Sequence, residues 1–244
     1  MASYLITGSS WGIGLGYVKI LARKDVSEVG KVFAATRSEN AALKKIISES
    51  ASRVEFVPLE VISEESAKEA AQRVEQTLSG KGLDVLINNA GIPSHTKGSI
   101  ENICVSKGGV IDLTEVLNVN VFGVHSVTRA FLPLLRKGQL KKIRNISSTL
   151  GSMSMSAIGK FQPTPAYKAE SLESDGFAVL IICPGAKTDM GTDADHLTPE
   201  ESATGGLNVL SGSTPADSGK FFVINLPGKD ISGQKIYDGS VRPY

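Results

Sequence analysis

The stretch Ser3-Tyr4-Leu5-Ile6-Thr7-Gly8-Ser9-Ser10-Trp11-Gly12-Ile13-Gly14 carries an apolar run into a glycine-spaced turn, after which apolar residues resume at helical spacing. Ile13, Tyr17, Val18, Ile20 and Leu21 repeat with a period near 3.6, and Arg23-Lys24 close the series with cations suited to a helix C-terminus. A strand, a tight loop and a helix are therefore expected in that order. Gly8, Gly12 and Gly14 remove side chains where the backbone must turn and come close to a ligand. The free N–H groups of the first helical turn then face an anion. A nucleotide pyrophosphate is the natural occupant, although a glycine-rich turn can also be only a turn.

The chain has 244 residues, which suits one large α/β domain spanning 1–244 with ample material for a core. Lys and Arg number 26 against 25 Asp and Glu, a formal charge of +1. The basic residues are scattered apart from Arg136-Lys137 and Lys141-Lys142. This balance argues against nucleic acid or a membrane surface as a partner. The first residues lack a basic and apolar leader, no apolar run approaches 18 residues, and Cys104 and Cys183 lack metal-ligand spacing. A soluble, reduced, cytoplasmic protein without a metal is expected.

Working outward from the first turn, Lys31-Val32-Phe33-Ala34-Ala35-Thr36 reads as a second strand. A helix follows from about Asn40 to Ser50, with Leu43, Ile46 and Ile47 on one face. Val54 to Leu59 forms a third strand, and Ser63-Glu64-Glu65 opens an amphipathic helix to about Leu78 with a capping serine and an acidic first turn. Leu83 to Ile87 is the fourth strand and Phe177 to Ile182 the sixth. Strands that are apolar throughout, alternating with helices, imply a parallel sheet covered on both faces, and right-handed crossovers wind it into a Rossmann-type doubly wound sheet. Ligands of such sheets bind beyond the C-terminal ends of the strands.

An acidic residue closing the second strand would accept from an adenosine ribose 2′-OH, but Thr36-Arg37 stands there, with a guanidinium and no carboxylate. Arginine suits a 2′-phosphate bidentately, so NADP is favoured over NAD. The alternative is that Arg37 is a solvated surface charge. Glu60, after the third strand, either accepts from the adenine amino group or simply begins a loop.

Asn88-Asn89-Ala90-Gly91 follows the fourth strand directly. Together with Thr7 to Gly14, Asn120 in Val119-Asn120-Val121-Phe122-Gly123, Asn145-Ile146-Ser147-Ser148, Ala166-Tyr167-Lys168 and Cys183-Pro184-Gly185, it resembles the short-chain dehydrogenase/reductase family. The landmarks fall in the family's order and cover nearly the whole chain. The segment between Ser148 and Tyr167 and the tail from Gly219 to Gly239 are similar to the carbonyl-reductase-like branch that includes Sniffer and the C-factor proteins.

The resemblance implies an oxidoreductase that reduces a carbonyl, or oxidises a secondary alcohol, by hydride transfer from or to NADP. Tyr167 would exchange a proton with the substrate oxygen, Ser148 would hydrogen-bond that oxygen, and Asn120 would anchor a water relay. Gly8, Ser10, Gly12, Ile13, Gly14, Thr36, Arg37, Glu60, Asn89, Ala90, Gly91, Tyr167 and Thr188 would line the dinucleotide. The implied partner is a small carbonyl or alcohol.

One departure matters for chemistry. The family has a lysine four residues after the tyrosine, where a helix brings both to one face and the ammonium lowers the phenol pKa. Here the fourth residue is Ser171, and Lys168 lies about 100° around a helix from Tyr167. Only nine residues, 168 to 176, separate Tyr167 from the next strand. As helix they would cover roughly 14 Å, so a truncated crossover helix is expected. The turn Pro184 to Thr188 is also one residue shorter than the family's, and Trp11 stands where an arginine is frequent in NADP-preferring relatives. Impaired chemistry follows, with Lys160, Lys168 and Lys187 the candidates to bring an ammonium to Tyr167; the alternative is a dinucleotide-binding protein without turnover, or a truncated splice or gene-model product. A family-like homodimer would be weakened by the missing helix, and apolar faces of the fifth and sixth strands and of the helix over 121–136 would be left without a cover.

Overall fold

The computed structural model describes residues 1–95, 109–148, 176–185, 197–229 and 237–242. Eight strands form one sheet: β1 (Ala2–Thr7), β2 (Val29–Thr36), β3 (Val54–Pro58), β4 (Val85–Asn88), β5 (Lys142–Ile146), β6 (Ala178–Cys183), β7 (Phe221–Val223) and β8 (Val241–Arg242). Their order across the sheet is β3-β2-β1-β4-β5-β6-β7-β8. All neighbours are parallel except β7 and β8. The order reverses between β1 and β4, so the Rossmann-type sheet expected from the alternation of strands and helices is what the chain forms.

The helices are α1 (Gly12–Arg23), α2 (Ala41–Glu49), α3 (Glu64–Leu78), α4 (Gly109–Leu117), α5 (Val124–Lys137) and α6 (Pro199–Gly212). Local signals set their starts. Asn40 caps α2 by accepting from the Leu43 N–H, Ser63 caps α3 by accepting from the Ser66 N–H, and Thr198 with Glu201 forms a capping box at α6. A π-helical segment, Asn118–Gly123, joins α4 to α5.

Two apolar layers flank the sheet. On one face Ile13, Tyr17, Val18 and Leu21 of α1 and Ala203, Val209 and Leu210 of α6 pack with Ile6, Val32, Ile87 and Leu180. On the other, Ala67, Ala70 and Val74 of α3 and Val127, Phe131, Leu134 and Leu135 of α5 pack with Leu5, Phe33, Leu86 and Ile143. The strands are apolar on both sides because both sides are covered.

The expectation that the sheet is uncovered at β5 and β6 is not met. Ile143, Phe177 and Val179 are 1%, 0% and 4% exposed and belong to the same cluster as the α5 residues. Their cover does not depend on the crossover helix alone, because α5 supplies apolar contacts of its own. The crossover segment itself, with Lys160, Tyr167, Lys168 and Ser171, lies outside the described residues, as do Lys187 and Thr188.

The first face holds an irregularity. Arg144 of β5 is 0% exposed, and its Nε, Nη1 and Nη2 find no hydrogen-bond partner among the described residues. Its guanidinium lies 4.9 Å from the Tyr17 ring centroid and presses on the backbone of α6 at Gly206, where a Cβ would run into it.

Candidate active site

Parallel strands bring their C-terminal ends to one edge, which collects Thr7-Gly8, Thr36-Arg37, Asn88 to Gly91, Ser147-Ser148 and Pro184-Gly185. The two loops after β1 and β4 are laced together. Thr7 Oγ1 accepts from the Asn89 and Ala90 N–H groups, both at 2.9 Å, and Asn89 Nδ2 donates to the Thr7 and Gly8 carbonyls at 3.0 and 3.2 Å. Thr7 is buried, so these are bonds in a low-dielectric setting. Gly8 has φ 66°, and a Cβ there would stand 2.8 Å from Ala90 Cα. A Cβ on Gly14 would meet the Gly8 carbonyl and Asn89 Nδ2. Only glycine allows the two loops to approach so closely.

At the start of α1, Trp11 occupies the N-cap position in an extended conformation and makes no side-chain cap hydrogen bond. The first-turn N–H groups of Gly12, Ile13 and Gly14 therefore keep their anion-binding character. Trp11 itself is 66% exposed. Across the loop, Ser9 is fully buried and its hydroxyl donates to the Ala35 carbonyl at 3.2 Å. Thr36 Oγ1 donates to Ser10 Oγ at 3.2 Å. Arg37 is 73% exposed, with Nη1 3.9 Å from Glu60 Oε2. No carboxylate stands at the end of β2, while Glu60 approaches the guanidinium from β3.

On the other side of the edge, Asn120 lies within the π-helical segment. Its Oδ1 accepts from the Ile92 N–H and its Nδ2 donates to the Ile92 carbonyl, both at 2.9 Å. The side chain thus holds the loop after Asn88-Asn89-Ala90-Gly91 as a second peptide group would. Asp112 of α4 holds the same loop further on, accepting from Ser94 Oγ at 2.6 Å and the His95 N–H at 2.8 Å. Ser148 is exposed, two residues beyond the end of β5. Among the catalytic residues implied by resemblance, Ser148 and Asn120 share this edge, and Tyr167 lies outside the described residues.

Sequence reasoning left out Asn88 as an individual residue. It is 3% exposed and its Nδ2 donates to Thr128 Oγ1 at 3.0 Å and to Asn145 Oδ1 at 2.9 Å, tying β4 to α5 and β5 under the site. The available signal was an asparagine closing the otherwise apolar strand β4. Tyr237, whose hydroxyl donates to the Gly185 carbonyl at 3.5 Å, brings the C-terminal part of the chain onto the turn after β6.

A family model described as short chain dehydrogenase matches residues 3–164. The chain is a short-chain dehydrogenase/reductase. It is 32% identical to an uncharacterized oxidoreductase of Schizosaccharomyces pombe, in an alignment over 274 residues that covers 99% of this chain and 97% of the relative. That alignment is longer than the chain, so stretches of the relative have no counterpart here. The NADPH-bound carbonyl reductase from chicken fatty liver superposes with a TM-score of 0.79 at 29% identity, covering 100% of this chain and 99% of that one. The carbonyl reductase Sniffer of D. melanogaster shares the fold, with a TM-score of 0.79 at 22% identity and complete coverage of both chains. Within the short-chain dehydrogenase/reductase family the chain is thus carbonyl-reductase-like. Among the described residues no helix is long and apolar enough to cross a membrane, and no group of three or more His, Cys, Asp or Glu is placed to hold a metal ion.

Proposed function

We propose that this short-chain dehydrogenase/reductase binds NADP(H) along the C-terminal edge of the sheet and exchanges hydride with a small carbonyl or secondary alcohol, at a rate held low by the want of a lysine four residues after Tyr167. The observation that carries the cofactor reading is the exposed Arg37 guanidinium at the end of β2, where no carboxylate competes for a ribose 2′-OH. The residues present fit the group. The first turn of α1 is without a side-chain cap and would take the pyrophosphate, Ser10 and Arg37 would take the 2′-phosphate, and Glu60 the adenine edge.

When bound, the nicotinamide supplies the hydride chemistry. The chain's own residues have the remaining tasks. Ser148 donates a hydrogen bond to the substrate oxygen, and Tyr167 gives or takes the proton at that oxygen. A phenol titrating near about 10 needs a neighbouring cation to exchange protons near neutral pH, and general acid–base help is worth roughly 10²–10⁴-fold. Ser171 supplies none. That residue is also what favours the second reading, dinucleotide binding without turnover.

Steady-state oxidation of NADPH over a panel of aldehydes, ketones and quinones separates the two. Slow turnover that Tyr167→Phe abolishes supports the first reading, and binding of NADPH with no turnover of any substrate supports the second. Rates typical of an intact enzyme would show that another group replaces the lysine.

A further inference from the structure

Asn40, the cap of α2, also joins two parts of the proposed cofactor edge. Its Oδ1 accepts from the Leu43 N–H at 2.9 Å and caps α2, while its Nδ2 donates to the backbone carbonyl of Ser10 in the loop before α1. Thr36 Oγ1 binds Ser10 from below, donating to its hydroxyl oxygen. Ser10 is thus held at its carbonyl by Asn40 and at its hydroxyl by Thr36, four positions apart in sequence with Arg37 between them.

We infer that Asn40 is a specificity-positioning residue: it fixes Ser10 relative to Arg37, so that a hydroxyl and a guanidinium converge on one 2′-phosphate. This rests on the NADP reading above. Ser10 Oγ, accepting a hydrogen bond from Thr36, has its own hydroxyl hydrogen free to donate. Arg37 is exposed and has a weak tether at 3.9 Å to Glu60, so it supplies charge without a fixed direction. Discrimination between a 2′-OH and a 2′-phosphate then depends on where Ser10 is placed, and the amide of Asn40 places it. A ligand with no 2′-phosphate makes no use of this arrangement.

The test is Asn40→Ser in the full chain. Serine retains the cap of α2, since its hydroxyl also accepts from the N3 N–H, but it cannot reach the Ser10 carbonyl as the amide does. Titration calorimetry with NADPH, NADH and 2′,5′-ADP on parent and variant reads the result, and the last of these probes the adenosine end alone. The expected outcome is a loss of about threefold to tenfold in affinity for NADPH and 2′,5′-ADP with NADH unchanged, equal to one modest hydrogen bond. Asn40→Asp, which also keeps the cap, should lose more, because it adds a negative charge beside the phosphate. Equal losses for NADPH and NADH, or none for either, in a parent that prefers NADPH would overturn the role of Asn40 and leave the cofactor reading standing. A parent with equal affinity for NADPH and NADH would overturn both.

Discussion

Replacing Arg144 by Met should stabilise this protein. The guanidinium is completely buried, three of its nitrogens lack partners among the described residues, and what faces it is the Tyr17 ring at 4.9 Å. Taking one ion out of water has an effective penalty of several kcal/mol, and a desolvated cation–π contact returns about 2. Replacing even a buried ion pair, whose charges offset one another, by apolar residues of similar volume is often neutral or stabilising by roughly 1–4 kcal/mol. Methionine follows the path of the arginine stem and is flexible enough to fill it. For a chain of this size each kcal/mol moves Tm by roughly 2–4 °C, so the rise should lie between about 2 and 16 °C. Urea unfolding followed by far-UV circular dichroism gives the free energy independently.

The same pocket offers an internal control. A Cβ on Gly206 would run into the guanidinium, so Gly206→Ala should destabilise the parent despite alanine's better helix propensity, about 1 kcal/mol. In the Arg144→Met background the clash is gone and Gly206→Ala should become neutral or stabilising. The two changes are therefore coupled by more than about 1 kcal/mol. If Arg144→Met lowers stability by more than about 1 kcal/mol, the guanidinium is compensated by an anion or a carboxylate, and the reasoning fails.

Two further outcomes can be checked directly. Asn120→Ala removes both bonds to the Ile92 backbone; at about 0.5–1.5 kcal/mol each the loss should be about 1–3 kcal/mol, and amide hydrogen exchange at Ile92 should accelerate, so unchanged exchange there would sink the idea. Burial pushes the Tyr17 phenol up to about 12, against about 10 in an unfolded chain. The folded state therefore keeps a proton that the unfolded state gives up, and stability should fall as pH rises from about 10 to 12. Tyr17→Phe should flatten that part of the pH profile.

How much of this was legible in the sequence follows from how each element is built. β1, α1, β2, α2, β3 and α3 combine apolar periodicity with a cap or a glycine turn, so their positions could be read to within two residues. Helix α6 could not be read, because its packing depends on small residues. Gly206 makes room for Arg144, and a Cβ on Gly205 would crowd Ile224, so the apolar stripe that announces a helix is missing where the helix packs most closely. Strands of three and two residues, β7 and β8, are too short to show a pattern. At the site, Thr7, Asn89 and Asn120 stood out by motif, but their partners did not. The bonds from Thr7 to the loop after β4, and from Asn88 to Thr128 and Asn145, join residues 40 to 83 positions apart, and nothing local encodes them.

The π-helical segment between α4 and α5 bears on what sequence change this protein can survive. A π turn takes one residue more than an α turn, so deleting a single residue from Asn118–Gly123 would let one uninterrupted α-helix form. Local geometry would improve and α4 and α5 would keep nearly the same relative orientation, because the wide turn absorbs the extra residue, but the residues of the segment itself would be redistributed around the helix. Asp112, outside the segment, would keep its hold on Ser94 and His95, while Asn120, inside it, would be carried off the position from which it holds Ile92. Within these six residues, length should be under stricter selection than side-chain identity, and a one-residue gap here in a natural variant would mark a chain whose loop after β4 is held in some other way.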